Sequence, residues 1–415
     1  MTTRWLKPLV GHPGPFATVY LDATRSVEAG DKDVANRWRA VRRTLEKQGA
    51  PATVLSDLDD AVDVPTRVHG THGRVLIADS TGVLVDRILR EPPAVTTGLW
   101  HEVPSLLQAA RSADETVDAV CVTVDRLGAD FCRVGSDGFA TGPVEAFEGP
   151  HDEVSKTSST TVKRATIESR AEDSWRRNAE AVAAEIDRRV AEERPEIVLI
   201  SGDVRAVNLV KGALGQGASR LTVEVAGGGR GPGVRQAAFA EALADALDSF
   251  RERRREQVIA ELRQGLGRGD GAVTSIDDVV QVLARGQVKQ LVLSEELADA
   301  AASALRRWAA GDADSPGFGG LLDGRNLWIG PEPMHIAVAR AELTGQGVGD
   351  GLQELPAASA LMRAAVAQDA GLTFAPPGSV ELMDGVGATL RWSDGGTPHE
   401  SAVSMSGDGR RLHNL

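Results

Sequence analysis

The chain is short of cysteine and of aromatic residues. Its two cysteines, Cys121 and Cys132, cannot make a disulfide framework, and no CxxC or Cys/His cluster offers zinc-ligand spacing. Aromatics are 4% of the residues, with one tyrosine. That argues against a module that stacks splayed bases on aromatic platforms, so any RNA contact should run through phosphates and shape. No apolar run reaches the ~18 residues of a membrane span. The opening MTTRWLKPLVGHPGP lacks an apolar signal core and a small-residue cleavage site. These absences point to a cytoplasmic protein.

Enzyme signatures are missing as well. The phosphate-loop lysine motif, HExxH and GxSxG do not occur. The glycine tract VAGGGRGPGVRQAAF (Val225–Phe239) could cradle an anion, but Pro232 breaks the dinucleotide register. A tight strand-to-helix connection is the better account. The eight histidines form no motif, and the many acids carry no specific spacing. Nothing in composition or motif demands a catalytic residue, a metal or a cofactor, and the expectation is a protein that is not an enzyme.

What is present is a long, soluble, acidic chain. At 415 residues, 42% hydrophobic and 25% charged, it should hold two or three globular domains. The net charge of −13 disfavours a nucleic-acid coat protein, although RNA affinity follows local patches.

Strand-like FATVYLDAT (Phe16–Thr24) opens the chain, and GRVLIADSTGVLVDRIL (Gly73–Leu89) reads as a hairpin turning at Ser80-Thr81-Gly82. Between them the pattern predicts a helix over Ala35–Pro51, stopped by Gly49 and Pro51. Its Arg37, Arg39, Arg42 and Arg43 do not all face one way. A solvated surface is the plain reading and an RNA-facing patch the sharper one. A second hairpin spans Asp118–Gly138, turning at Arg126–Gly128, with Cys121 and Cys132 on its two arms as small buried hydrophobes.

A polar stretch follows, read as a basic loop over 149–170: GPHDEVSKTSSTTVKRATIESR. From Val154 to Arg170 its charges are Lys156, Lys163, Arg164 and Arg170 against Glu168 alone. So low an apolar content need not fold before it binds. Then come a helix ended by Pro195, the buried strand Glu196–Gly202, a helix with glycine stops and the strand RLTVEVAGGG. A long helix from about Val234 to Leu266 would span roughly 45–50 Å. Gln264–Gly271 is glycine-rich and reads as a linker. The last part restarts as TSIDDVVQVLAR, stopped by Gly286, and alternates helices with strands as another α/β domain. The tail after Asp394 should be loose at its end.

This order and several short stretches resemble the archaeal and eukaryotic class-1 release factor and Pelota superfamily, in its bacterial branch. More narrowly, the chain resembles the actinobacterial Balon-like hibernation factors. The likeness is best from about Thr116 to Trp392. AVCVTVDRLGADFCRV looks like the family's middle-domain hairpin. VEVAGGGRGPGVRQA puts Gly227, Gly228, Gly231 and Gln236 on its small and polar positions. SIDDVVQVLARGQVKQLVLSEE matches its last-domain opening at Asp278, Val279, Leu283, Gly286, Val288, Leu291 and Leu293.

The resemblance implies three consecutive α/β domains: Met1–Glu115, Thr116–Arg268 and Gly269–Leu415. The middle one would be RNase H-like, and the last would have the fold of a kink-turn-binding ribosomal protein. Where release factors carry Gly-Gly-Gln, this chain has the stretch Gly149–Ser169 without that tripeptide, so peptide release is not expected. The resemblance further implies binding to the 70S ribosome at the A site, against 16S and 23S rRNA, with an association to elongation factor Tu. Lys156, Ser158, Thr160, Lys163, Arg164 and Arg170 would meet rRNA from the middle domain, and Arg37, Arg39, Arg42 and Arg43 from the first. Pelota-like rescue of stalled ribosomes with a translational GTPase, and a peptidyl-tRNA hydrolase or ribosome-associated nuclease, are the alternatives.

Overall fold

The computed structural model of the chain describes residues 4–12, 14–25, 31–66, 68, 70–114, 116–134, 140–150, 162–231, 234–300, 303 and 325–398. Residues 4, 31, 140–143 and 162–171 are described as backbone only. The chain divides into two compact units, one of Met1–Glu115 with Arg254–Leu415 and one of Thr116–Arg253.

In the first unit, β1 (Phe16–Asp22) alternates its faces. Ala17, Val19 and Leu21 meet Trp38, Val41 and Leu45 of α1 (Asp31–Lys47) and Val54, Leu55 and Leu58 of α2 (Ala52–Asp63). Phe16 and Tyr20 point the other way, towards Leu6 and Leu9 of a 3-10 turn and towards α3 (Leu107–Asp114). Tyr20 is fully buried, and its hydroxyl donates to the Ser105 carbonyl at 2.7 Å and accepts from the Ala109 N–H at 3.2 Å. A buried phenol with both roles filled carries no desolvation debt. With β2 (Gly73–Asp79), β3 (Gly82–Leu89) and β4 (Thr97–His101) the antiparallel order is β3-β2-β1-β4. The expected hairpin is the β2–β3 pair.

The second unit is built on β5 (Ala119–Val124), β6 (Gly128–Val134), β7 (Ala140–Glu148), β8 (Ile197–Gly202) and β9 (Thr222–Glu224), in the order β7-β6-β5-β8-β9. β5, β6 and β7 run antiparallel in turn, and β8 and β9 run parallel to β5. This is the ribonuclease-H-like arrangement the resemblance implies. Ala179, Val182, Ala183 and Ile186 of α4 (Val162–Glu193) cover one face through Val120, Val122 and Phe131. Phe239, Leu243, Leu247 and Phe250 of α7 (Gln236–Arg268) cover the other, against Ala119 and Leu199. Burial on both faces explains why β8 reads as the unbroken apolar run IVLIS. Two short helices, α5 (Val204–Ala213) and α6 (Gln216–Leu221), connect β8 to β9.

Two expectations are corrected here. The stretch read as a loop to residue 170 is helical from Val162. TVKRATIESRAEDS is polar but has no glycine or proline, and Ala, Arg, Lys and Glu favour a helix. The Gln264–Gly271 linker is mostly the end of α7, which runs to Arg268. Gly265 permits close packing there, since a Cβ on it would lie 2.5 Å from the Cβ of Ala272.

The C-terminal part of the first unit holds β10 (Ala272–Thr274), α8 (Ile276–Ala284), β11 (Val288–Ser294), β12 (Asn326–Ile329), β13 (Ile336–Ala337), α9 (Arg340–Gly345), β14 (Gln353–Pro356), α10 (Ala357–Ala367), β15 (Gly371–Ala375) and β16 (Val386–Leu390). They form a mixed sheet, β10-β16-β11-β15, and a small one, β13-β12-β14. The Ser275 hydroxyl caps α8 by accepting from the Asp278 N–H at 3.2 Å. Gly286, at φ +72°, ends that helical segment as the sequence predicts. One hydrophobic core runs from Phe16, Ile77 and Ala110 to Val279, Leu291, Leu361 and Phe374. Buried Asp114 joins it by accepting the Phe374 N–H at 3.2 Å. Among the described residues no helix is long and apolar enough to cross a membrane.

Candidate nucleic-acid interface

The carboxyl ends of β5 and β8 meet at a point fixed by local chemistry. After β5, the Asp125 carboxylate accepts the N–H groups of Leu127 and Gly128 at 2.8 and 2.9 Å, closing the turn into β6. After β8, Asp203 caps α5 by accepting from the N–H groups of Arg205 and Ala206 at 3.0 and 3.1 Å. Gly202 stands between them at φ +136°, and a Cβ there would lie 1.9 Å from the Val124 carbonyl oxygen. Only glycine lets the two strand ends approach so closely.

Arg230 organises the same edge. Its guanidinium, only 11% exposed, meets Asp125 at 2.9 Å, Asp130 at 3.0 Å and Glu148 at 2.6 Å. Burial alone would lower its pKa; the Glu148 and Asp125 hydrogen bonds and the nearby charges more than reverse this and hold it protonated. Three carboxylates that could otherwise converge on a cation are satisfied from within the chain. Among the described residues no group of three or more His, Cys, Asp or Glu is arranged to hold a metal ion.

Beside this lies a surface of arginine and tryptophan. The Arg126 guanidinium sits 4.3 Å from the centroid of the Trp175 ring, and that of Arg205 sits 5.5 Å from it. Asn178, one turn along α4, donates to the Arg126 carbonyl at 3.1 Å. Gly149, the first residue after β7, packs against Asn178 so tightly that a Cβ would lie 2.3 Å from its Oδ1. Gly149 thus follows β7 beside Asn178 and the Arg126 backbone.

Of the residues expected to meet RNA, Lys156, Ser158 and Thr160 lie outside the described residues. Lys163, Arg164 and Arg170 fall on the first turns of α4. The four arginines of α1 divide into two pairs. Arg37 donates to the carbonyls of Asp22 and Thr24 at 3.0 and 2.8 Å, and Arg42 grips the Asp59 carboxylate at 3.1 and 3.2 Å. Both tie α1 to its own domain. Arg39 and Arg43 are exposed one turn apart, and among the described residues neither has a carboxylate partner. Sequence reading missed Arg126, Trp175, Arg205 and Arg230. The string DSWRRN, a tryptophan beside two arginines, was the available signal for Trp175; nothing in the sequence marks Arg230.

Cys121 and Cys132 face each other in register across β5 and β6 as free, half-buried thiols. Burial, and secondarily Cys132, pushes the Cys121 thiol up to about 12, which leaves it unreactive near neutral pH. His72 is a satisfied core residue, with its ring nitrogens at the Gly70 carbonyl (2.9 Å) and the Thr66 hydroxyl (2.7 Å).

Residues 118–268 match the model of the bacterial archaeo-eukaryotic release factor family 2. Over that span the chain is similar to a domain of the release-factor type. A relative from Mycobacterium tuberculosis (strain ATCC 25618 / H37Rv), the uncharacterized protein Rv2629, is 29% identical over 401 residues, which cover 95% of this chain and 97% of the relative. Among solved structures, the archaeal translation termination factor aRF1 aligns at 15% identity over 94% of this chain and 99% of its own, with a TM-score of 0.21. S. cerevisiae Dom34, a translation termination-like factor, aligns at 12% identity over 78% of this chain and 79% of its own, with a TM-score of 0.38.

Proposed function

We propose that the protein binds the ribosomal A site and shields the decoding and peptidyl-transferase centres without releasing peptide, as a hibernation factor does. One observation carries this reading. A release-factor-like domain spans 118–268, yet the extension where that family keeps Gly-Gly-Gln reads GPHDEVSKTSSTTVKRATIES. The stretch keeps basic and hydroxyl residues and lacks the tripeptide with its glutamine. The carboxylates at the edge of the sheet support the non-catalytic side: Asp125 and Asp203 serve as caps, and Arg230 neutralises Asp125, Asp130 and Glu148. A nuclease or hydrolase would need such groups free to bind a metal or move a proton.

The mechanism is steric. The basic residues of the extension and of the start of α4 would neutralise rRNA phosphates, and the serine and threonine hydroxyls would add neutral contacts. The site of action is cytoplasmic, and an association with elongation factor Tu belongs to this reading.

The test is co-sedimentation with purified 70S ribosomes over a salt series. The unaltered protein should lose affinity steeply as salt rises. A variant carrying Lys156→Ala, Lys163→Ala, Arg164→Ala and Arg170→Ala should bind more weakly at low salt, with a shallower slope. Identical curves would remove the extension from the mechanism. A preference for stalled, mRNA-bearing ribosomes over vacant ones would favour the rescue reading instead.

A further inference from the structure

We infer that Trp175, dressed by Arg126 and Arg205, is a stacking shelf for one unpaired RNA base at the root of the extension. This rests on the ribosome-binding reading and names one of its contacts. Three separate elements deliver the three side chains: the β5–β6 turn, α4 and the first turn of α5. Both guanidiniums lie over the indole, at 4.3 and 5.5 Å from its centroid. Arg126 is 49% exposed and Arg205 57%, so the assembly is open to a partner although it is already ordered.

The carboxylates around the shelf decide what it fits. Asp203 approaches Arg126 at 3.5 Å, and Glu172 pairs with Arg205. Each arginine therefore has much of its charge balanced, which leaves little for an acidic peptide to gain. The flat outer faces of guanidiniums braced on the indole remain, and these match a single nucleobase, one stacking position where the low aromatic content speaks against a platform of several. Arg176 pairs with Asp173 at 3.0 Å, so exposed Arg177 and the basic residues in the sequence at the start of α4 supply the charge that a phosphate backbone needs. Asn178 donates to the Arg126 carbonyl and packs against Gly149, the residue that follows β7, so a base seated at Trp175 would lie one turn of α4 from Gly149.

The experiment is fluorescence anisotropy with short labelled oligoadenylate and oligouridylate, run on the full chain. The unaltered protein should prefer oligoadenylate, since a purine stacks over more area. Trp175→Ala should weaken oligoadenylate binding about tenfold, within the roughly 5- to 150-fold span of one lost base stack, and leave the salt slope unchanged. Trp175→Phe should keep most of the affinity. Arg126→Gln with Arg205→Gln alters exposed side chains and should reduce both affinity and slope. Wild-type affinity in Trp175→Ala, no binding of oligoadenylate by the unaltered protein, or binding of polyglutamate in its place would each overturn the shelf. Co-sedimentation of the same proteins with 70S ribosomes separates the two ideas. If the unaltered protein pellets with ribosomes while Trp175→Ala binds oligoadenylate normally, only the shelf falls. If the unaltered protein does not pellet, ribosome binding itself falls.

Discussion

Arg230 reaches Glu148, the last residue of β7, at 2.6 Å, and so ties the glycine tract before α7 to the point where the extension begins. The same guanidinium holds Asp125 and Asp130, which makes it the counter-charge for a whole sheet edge. Arg230→Met keeps the length of the side chain and removes the charge. Glu148 is 64% exposed and can rehydrate, whereas Asp125 and Asp130 are only 35% and 30% exposed. The expected cost is roughly 1–3 kcal/mol, below that of a fully buried pair. A denaturant midpoint equal to the unaltered protein's would show that the three contacts contribute nothing net.

Two glycines in the same domain should respond in opposite ways to alanine. Gly202→Ala forces a Cβ to 1.9 Å from the Val124 carbonyl at φ +136°, and should destabilise the domain by roughly 2–4 kcal/mol. Gly212 lies in α5 with nothing within 4 Å of an added Cβ. Gly212→Ala should stabilise by about 0.5 kcal/mol through helix propensity. Urea unfolding of both variants checks the pair, and equal shifts would contradict the geometry.

Glu185 sets an acid limb on stability. Hydrogen bonds first from Arg188 and then from Arg189 draw its carboxyl from 4.5 down to about 2. A depressed carboxyl stabilises the fold above its unfolded pKa, and that contribution is lost as the pH falls through the folded one. The stability gap between the unaltered protein and Glu185→Gln should therefore be widest near neutral pH and shrink from about pH 4.5 to 2. Thermal melts across that range measure it; a gap that does not change with pH would mean the pair is not felt in solution.

The arginines of α1 should separate by role. Arg42→Ala removes the Nε–H shared between the two Asp59 oxygens and should cost up to about 1 kcal/mol, since the side chain is one-third exposed. Arg39→Ala with Arg43→Ala should leave stability within about 0.5 kcal/mol, as surface changes do, and lower 70S affinity in low salt. A stability loss in the second variant without an affinity loss would assign both residues to the fold.

Much of this was legible in the sequence. The strand-like run FATVYLD, the apolar run IVLIS and the Gly286 stop each appear as an element where the pattern placed it. Polarity misled where it was not joined to a breaker, so 162–170 read as loop and is helix. Glycine misled in the other direction at Gly265, which serves close packing rather than flexibility. The Arg230 cluster was invisible because its partners lie 82 to 105 residues away, brought together only by sheet order. The four arginines of α1 could be counted but not sorted, since their sorting depends on Asp22 and Asp59 arriving from other elements.

The central claim is occupancy of the A site by a factor that cannot release peptide. A cryo-EM map of ribosomes from starved cells, or of vacant 70S ribosomes incubated with the purified protein, tests it most directly. The account predicts density for the chain in the A site, with 149–161 at the peptidyl-transferase centre and the peptide bond to any P-site tRNA intact. Density elsewhere on the ribosome, or a P-site tRNA emptied by the protein, would contradict it.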